Sequence, residues 1–343
     1  MVRLGIIGCG YWGINLVRNF YAAEECIISA TADTSEERRN HVKENFDDIK
    51  VISDYRSMLS DNTIDAVVIA TPPGSHYSLS REALNAGKHV FVEKPLAMNS
   101  GHACELVKLA EEKNKILMVG HTVLYNDAIK DLKNIIDSGD IGDIYYIYSS
   151  RLNLGIVRPD VNVMWSLAPH DISIILYLLN KKPVKVAAKG LSYIQNHIED
   201  VVYLNVTFEN NINAQVHLSW LDPHKKRDIT IVGSKKMLEY DDLSEERIKI
   251  FDKGIDRHNK SGRMAEYETF MEYSLIHRAG EVVIPKVNIN EPLKQECRHF
   301  IECIIGNKEP LTSGRSAIDV VRILESAEKS LHDDGSDVAI ENR

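Results

Sequence analysis

The sequence predicts an α/β protein in two parts: a doubly wound parallel sheet, then an α+β part with an open, mostly antiparallel sheet. Three observations predict it. From residue 1 to about 120, apolar runs of strand length alternate with helix-length stretches, the rhythm of parallel strands joined by crossover helices. After Gly120, strand-like runs follow one another across short polar turns, the rhythm of antiparallel pairing. Between the first strand and the first helix, Gly8, Gly10 and Gly13 fill the pattern G-x-G-x-x-G.

In the first part, strands are expected at 3–8, 27–33, 65–70, 89–92 and 116–119, with helices at about 12–22, 35–46, 75–87 and 99–113. Each glycine of the fingerprint has its own task. The first makes a tight turn, the second lets the backbone approach a pyrophosphate, and the third lets the helix press on the strand. The amide groups at that helix start suit phosphates. The second strand ends in Asp33, 20 residues past Gly13, where an acid holds the ribose hydroxyls of an adenosine. These features describe a Rossmann domain for NAD, because the Asp33 carboxylate repels a 2′-phosphate.

In the second part a helix at about 125–138 precedes a tyrosine-rich strand at 143–151, and a helix follows Pro169. Strands are expected at 184–193, 200–208, 212–220, 228–233 and 246–251, with hairpin corners at Asn210-Asn211 and Gly233-Ser234. The stretch 253–262 is expected to be a loop or lid. Helices follow at about 291–306 and 315–331, and 332–343 reads as a frayed, acidic end. The expected domains are 1–121 for the dinucleotide and 122–314 for substrate and oligomerisation, the helix at about 315–331 returning to the first.

Composition narrows the function. The chain has 343 residues, 44% hydrophobic and 27% charged, enough for a substantial core and comfortable for two domains. A formal charge of −9 argues against a nucleic-acid or acidic-membrane partner. The five cysteines lack any C-x-x-C and fit a reduced, cytoplasmic protein rather than a disulfide framework or metal site. No stretch is long and apolar enough for a membrane span.

Three further stretches carry chemistry. Thr71-Pro72-Pro73-Gly74-Ser75-His76 follows a sheet strand on the ligand side; it is a proline-rich turn or a dinucleotide contact. In Phe91-Val92-Glu93-Lys94-Pro95 a lysine is anchored by a strand behind and a proline ahead, where its ammonium could shuttle a proton or stabilise an alkoxide. The alternative is a surface ion pair of Glu93 and Lys94, worth little. In the segment from Asn162 to Asp171, His170 follows a proline at an expected helix start; imidazole suits proton exchange near neutral pH, and capping is the alternative.

Together with Ala70-Thr71-Pro72-Pro73, His76, Glu93-Lys94-Pro95, Val119-Gly120-His121, Tyr125-Asn126 and Ser166 to His170, the fingerprint resembles the glucose–fructose oxidoreductase and inositol dehydrogenase family. The resemblance covers essentially the whole chain. It implies a Rossmann domain, then an α+β domain whose open sheet commonly forms the subunit interface of a homodimer or homotetramer. It implies Lys94 and His170 as the catalytic pair. Expected at the cofactor are Gly8, Gly10, Tyr11, Trp12, Gly13, Asp33, Thr71, Pro72, His76, Glu93, Lys94 and His121. Expected at the substrate are Tyr125, Asn126, Arg151, Arg158, Asn162, Ser166 and Asp171. The sequence departs from the family at Ser166, where an aspartate is usual four residues before the histidine.

Arg151-Leu152-Asn153-Leu154-Gly155, Arg158, Gly233-Ser234-Lys235-Lys236, Tyr240-Asp241-Asp242 and Asp252-Lys253-Gly254 are similar to members acting on nucleotide-activated amino sugars. The implied reaction is oxidation of the C3 hydroxyl of a UDP-N-acetylhexosamine, with UDP-N-acetylglucosamine as the expected substrate, to the 3-keto sugar. Arg151, Arg158 or the run His224-Lys225-Lys226-Arg227 could meet its diphosphate, although such a run also suits a solvated hairpin end. The alternatives are reduction of a 3-keto sugar, oxidation of a free hexose or inositol, and a catalytically silent dinucleotide-binding regulator.

Overall fold

The computed structural model describes residues 1–155, 157–256 and 276–341. The first sheet is built from β1 (Val2–Ile7), β2 (Cys26–Ala32), β3 (Lys50–Ile52), β4 (Ala66–Ile69), β5 (His89–Glu93) and β6 (Leu117–Gly120). All its pairs are parallel and the order is β3-β2-β1-β4-β5-β6. Helices α1 (Gly13–Tyr21), α2 (Glu36–Asn45), α3 (Arg56–Leu59), α4 (His76–Asn85) and α5 (Ser100–Glu112) make the connections. The order reverses between β1 and β4, which opens a ligand crevice beyond their carboxyl ends. β4 is apolar along its whole length and buried throughout, as a strand covered on both faces must be.

The second sheet follows α6 (Asp127–Asp137). It contains β7 (Ile144–Leu154), β8 (Pro183–Leu191), β9 (Val201–Phe208), β10 (Asn213–Ser219), β11 (Leu221–Gly233), β12 (Met237–Asp241) and β13 (Ile248–Phe251). A separate two-stranded ribbon pairs β14 (Gly254–Asp256) with β15 (Ile276–Arg278), and β16 (Val282–Val283) forms one edge of the large sheet. The large sheet has nine strands, in which only β7 and β10 pair in parallel. Helix α7 (Val163–Leu179) covers one face; the other exposes Tyr146, Tyr148 and Tyr203.

Several expectations need correction. Helix α7 does not start at Pro169: Asn162 caps it, its side-chain oxygen accepting from the Trp165 amide at 3.1 Å, and Pro169 lies within the helix. Strand β11 begins at Leu221, so the basic run 224–227 is strand rather than hairpin end. The final segment is not frayed, because β17 (Val338–Ala339) pairs with β8 and Ile340 is buried. Of the expected loop at 253–262, Gly254–Asp256 is strand and 257–262 lie outside the described residues.

The last two helices join the halves. α8 (Pro292–Gly306) packs on α1 and β1, where Phe300 meets Phe20 and Phe91 edge-on with centroids 6.3 and 5.6 Å apart. α9 (Gly314–His332) lies between both parts. Glu325 accepts from the Ser100 amide and hydroxyl on α5, and the Ser330 hydroxyl accepts from the Ala188 amide on β8. α9 therefore does more than return to the first part, and α8 covers a sheet to which the sequence did not assign it.

Candidate active site

The glycine loop has the shape a pyrophosphate requires. Gly8 has φ +92°, and a Cβ there would come within 2.5 Å of the Ala70 carbonyl oxygen. A Cβ on Gly13 would run into the Gly8 carbonyl, so α1 can start against β1 only because position 13 is bare. Tyr11 and Trp12 stand exposed on the turn. Asp33 is buried at the end of β2 and accepts from the Cys9 amide at 2.7 Å and the Ser35 amide at 2.8 Å. The Arg38 guanidinium lies 3.7 Å from the same carboxylate. Thr71 shares a 2.7 Å hydrogen bond with the Ser75 hydroxyl, beside Pro72. The bare loop and the buried acid fit an NAD dinucleotide.

At the end of β5, the buried Glu93 accepts from the Trp12 indole at 2.5 Å, which ties the strand to the start of α1. Burial pushes the Glu93 carboxyl up, opposed by the Lys94 charge. Lys94 donates to the carbonyl oxygen of Ser166 at 2.8 Å. Pro169, inside α7, has no N–H to give the Trp165 carbonyl four residues before it. Burial pushes the Lys94 ammonium down, Glu93 raises it, and Arg151 and Arg158 lower it further. His170 lies one turn beyond Ser166, its Nδ1 buried with no hydrogen-bond partner. Burial, then Lys94, Arg151, His121 and Arg227, hold its pKa well below the ordinary imidazole value. His121, at the end of β6, is 2% exposed with both ring nitrogens unpartnered, and burial pushes it down to about 3.

Other named residues have structural partners. Asp171 does not orient His170: it holds Arg151 through Nε at 2.5 Å and accepts from the Ser149 hydroxyl at 2.7 Å. Tyr125 is buried, its hydroxyl 3.2 Å from that of Thr312 and its ring against His299. The Asn162 side chain caps α7 with its oxygen and donates from its nitrogen to Glu199 at 2.7 Å. His76 is fully buried, its ring nitrogens 2.7 Å from the Pro95 carbonyl oxygen and 2.8 Å from that of Thr71. It braces two loops. Two acceptors favour the doubly protonated ring, whereas burial favours the neutral one. Arg158 makes a two-point pair with Asp160 within electrostatic reach of Lys94.

The sequence reading missed one network. Asn126 donates to the Tyr240 hydroxyl and to Asp242, at 3.1 and 3.2 Å. Asp242 also faces two guanidiniums, Arg227 at 3.4 Å and Arg247 at 3.2 Å, and the Arg247 Nε is buried and unpartnered. Arg247 carried no local signal, because β13 and its hairpin bring it to Asp242. Asn126, Arg227 and the Tyr240-Asp241-Asp242 motif stand out separately in the sequence, but nothing in it joins them into one network.

A crevice at the strand-order reversal, a glycine cradle and a lysine–histidine cluster define a dinucleotide-dependent oxidoreductase. Residues 2–121 match the oxidoreductase family with an NAD-binding Rossmann fold, and residues 129–239 match the GFO/IDH/MocA C-terminal domain. The chain belongs to this family of oxidoreductases. It is 25% identical to UDP-N-acetylglucosamine 3-dehydrogenase of Acidithiobacillus ferrooxidans, over 81% of this chain and 90% of that one. It is 22% identical to myo-inositol 2-dehydrogenase of Thermotoga maritima, over 97% of each. A solved structure of the Acidithiobacillus enzyme, GnnA, superposes with a TM-score of 0.79 at 21% identity, covering 97% of this chain and 98% of that one. The structure of GenD2 from gentamicin A biosynthesis, in complex with NAD, superposes with a TM-score of 0.82 at 18% identity, covering 99% and 96%.

Proposed function

We propose that this oxidoreductase oxidises the C3 hydroxyl of a nucleotide-activated amino sugar, with UDP-N-acetylglucosamine as the substrate to try first. The observation that carries this reading is the pair of guanidiniums, Arg227 and Arg247, sharing the single carboxylate of Asp242. The surplus charge suits a diphosphate, which takes charged donors, whereas a free cyclitol offers no anion to meet it. The likeness to the Acidithiobacillus enzyme supports the same reading.

Gly8, Gly10 and Gly13 would hold the dinucleotide phosphates and Asp33 the adenosine ribose, with Glu93 and Trp12 bracing the opposite end. The bound dinucleotide supplies the hydride acceptor. The protein's part is alignment and proton handling. Lys94, with its pKa pushed down, holds a neutral amine fraction near neutral pH, which takes the proton of the reacting hydroxyl. His170, one helical turn beyond the Ser166 carbonyl that Lys94 holds, is a neutral imidazole that can receive or return it. The exposed tyrosine face of the large sheet suits a homodimer or homotetramer, and the reduced cysteines suit the cytoplasm.

The test is NADH formation from NAD with UDP-N-acetylglucosamine, myo-inositol and free hexoses in parallel. The expected result is a kcat/KM for the nucleotide sugar at least about tenfold above the others, roughly 1.4 kcal/mol of transition-state binding. Preference for a free polyol overturns the substrate reading. Dinucleotide binding without turnover on any sugar identifies a silent regulator.

A further inference from the structure

A cavity of about 650 Å³ lies among α6, α7 and α9, and neither Lys94, Ser166, His170 nor the glycine loop lines it. Its size falls within the range of small-molecule sites, about 300–1,000 Å³. One wall is a single face of α7, where Ser173, Leu176, Tyr177 and Asn180 follow the i, i+3, i+4, i+7 spacing over about 10 Å. The buried Leu124 and Val320 line it from the segment after β6 and from α9, so part of the lining is apolar.

Two features of this lining call for a ligand. The first is His121, which lines the cavity at 2% exposure with neither ring nitrogen partnered. Burial keeps the ring neutral near neutral pH, so it offers one N–H donor and one bare acceptor. A buried polar atom left unpaired is costly, and a hydroxyl, which both donates and accepts, satisfies either nitrogen. The second feature is charge. Lys133, Lys181 and Lys182 line the cavity against Glu209 and Asp319. Both carboxylates are engaged: Glu209 accepts from the Lys182 amide at 3.4 Å, and Asp319 holds Arg322 at 3.0 Å. Lys133 pairs with Asp137, whereas Lys181 and Lys182 have no ion pair among the described residues. Two unpaired ammoniums suit a doubly charged group such as phosphate better than a single carboxylate.

We propose that this cavity is a second ligand site, which takes the phosphomonoester of a sugar or other polyol. Lys181 and Lys182 hold the phosphate, His121 meets a hydroxyl, and the carbon skeleton lies against the apolar part of the lining. The ligand binds reversibly, and no bond is made or broken. Occupancy needs no hydride transfer, so the site stands apart from the dehydrogenase reading. It assigns His121 to this cavity instead of the dinucleotide. The cavity begins one turn past His170, where the Ser173 hydroxyl donates to the His170 carbonyl at 2.8 Å, so its test must separate it from the hydride-transfer site.

The probe is glucose 6-phosphate, titrated by calorimetry into the full-length protein with and without saturating NAD. Glucose, gluconate and inorganic phosphate are titrated beside it. Wild type is compared with Lys181→Gln/Lys182→Gln, His121→Gln and Ser316→Trp, the last placing an indole on the cavity wall from the exposed side of α9. Wild type is expected to bind one glucose 6-phosphate at least about tenfold more tightly than the other three compounds, with or without NAD. The lysine pair should lose about tenfold or more of that affinity and His121→Gln about threefold, while Ser316→Trp abolishes binding. Unchanged NAD affinity shows that a variant is folded; should His121→Gln fold poorly, the lysine and Ser316 variants still decide. Equal affinity for gluconate overturns the phosphate assignment, and equal affinity for inorganic phosphate removes the sugar from it. Displacement of the probe by NAD or by UDP-N-acetylglucosamine places it in the hydride-transfer site and overturns the proposal. So does unaltered binding in both the lysine pair and Ser316→Trp, or no binding to wild type, which leaves a water-filled cavity.

Discussion

The Lys94 ammonium donates a 2.8 Å hydrogen bond to the carbonyl oxygen of Ser166, tying the end of β5 to α7 one turn before His170. This bond joins the elements that carry the two catalytic candidates. Lys94→Ala is expected to lower single-turnover hydride transfer by about 100-fold or more while NAD affinity changes little, since the lysine acts on the reacting hydroxyl. Stopped-flow NADH formation and equilibrium NAD binding check the two halves; near-normal transfer removes Lys94 from the mechanism.

The charge state of Lys94 sets the pH dependence. Burial, opposed by Glu93 and aided by Arg151 and Arg158, pushes its pKa down to about 8 from the ordinary 10.5. Only the neutral amine accepts a proton, so oxidation should accelerate as pH rises and level off above about 8. A pH profile of single-turnover transfer that keeps climbing toward the ordinary lysine value would place the essential base elsewhere.

Asp33 should set the cofactor. Its carboxylate is anchored by two backbone amides and lies 3.7 Å from Arg38. The two amides bond different oxygens of the carboxylate, so Asp33→Asn keeps an acceptor for one of them; it removes the charge and leaves Arg38 free to meet a 2′-phosphate. The variant should bind NADP about tenfold or more tightly than wild type does and lose part of its NAD affinity, a shift of roughly 1.4 kcal/mol. Titration with both oxidised cofactors checks this, and wild type binding NADP more tightly than NAD would refute it.

Asp171 is predicted to matter for stability before chemistry. It is 1% exposed and neutralises the buried Arg151. Asp171→Ala leaves that guanidinium without its anion and should cost about 3–5 kcal/mol of unfolding free energy. Asp171→Asn, which keeps the shape and an acceptor, should cost less. Denaturant titration of the three forms measures both, and equal stability would show that Arg151 has another anion.

The parallel sheet was legible because most of its strands are built on apolar runs and its glycine loop is a local motif. β3 escaped because it has three residues, none of them fully buried. β12 escaped because Met237–Asp241 reads as a motif before it reads as a strand. Pro169 drew the start of α7 six residues too late, since proline marks a first turn more often than an interior one, and the Asn162 cap settles the true start. The site divided along the same line. Lys94 and His170 sit at chain positions that a strand end and a helix turn make readable. The burial of Tyr125, the capping duty of Asn162, the Arg151–Asp171 pair and the second guanidinium on Asp242 are tertiary facts with no local trace.

The central claim is that hydride leaves C3 of a nucleotide-linked amino sugar for NAD. UDP-N-acetylglucosamine carrying deuterium at C3 tests it directly: after incubation with the protein and NAD, the reduced dinucleotide and the sugar are weighed by mass spectrometry. The account predicts deuterium in the dinucleotide and a 3-keto sugar without it. Unlabelled dinucleotide and intact labelled sugar, alongside transfer from a deuterated inositol, would contradict it.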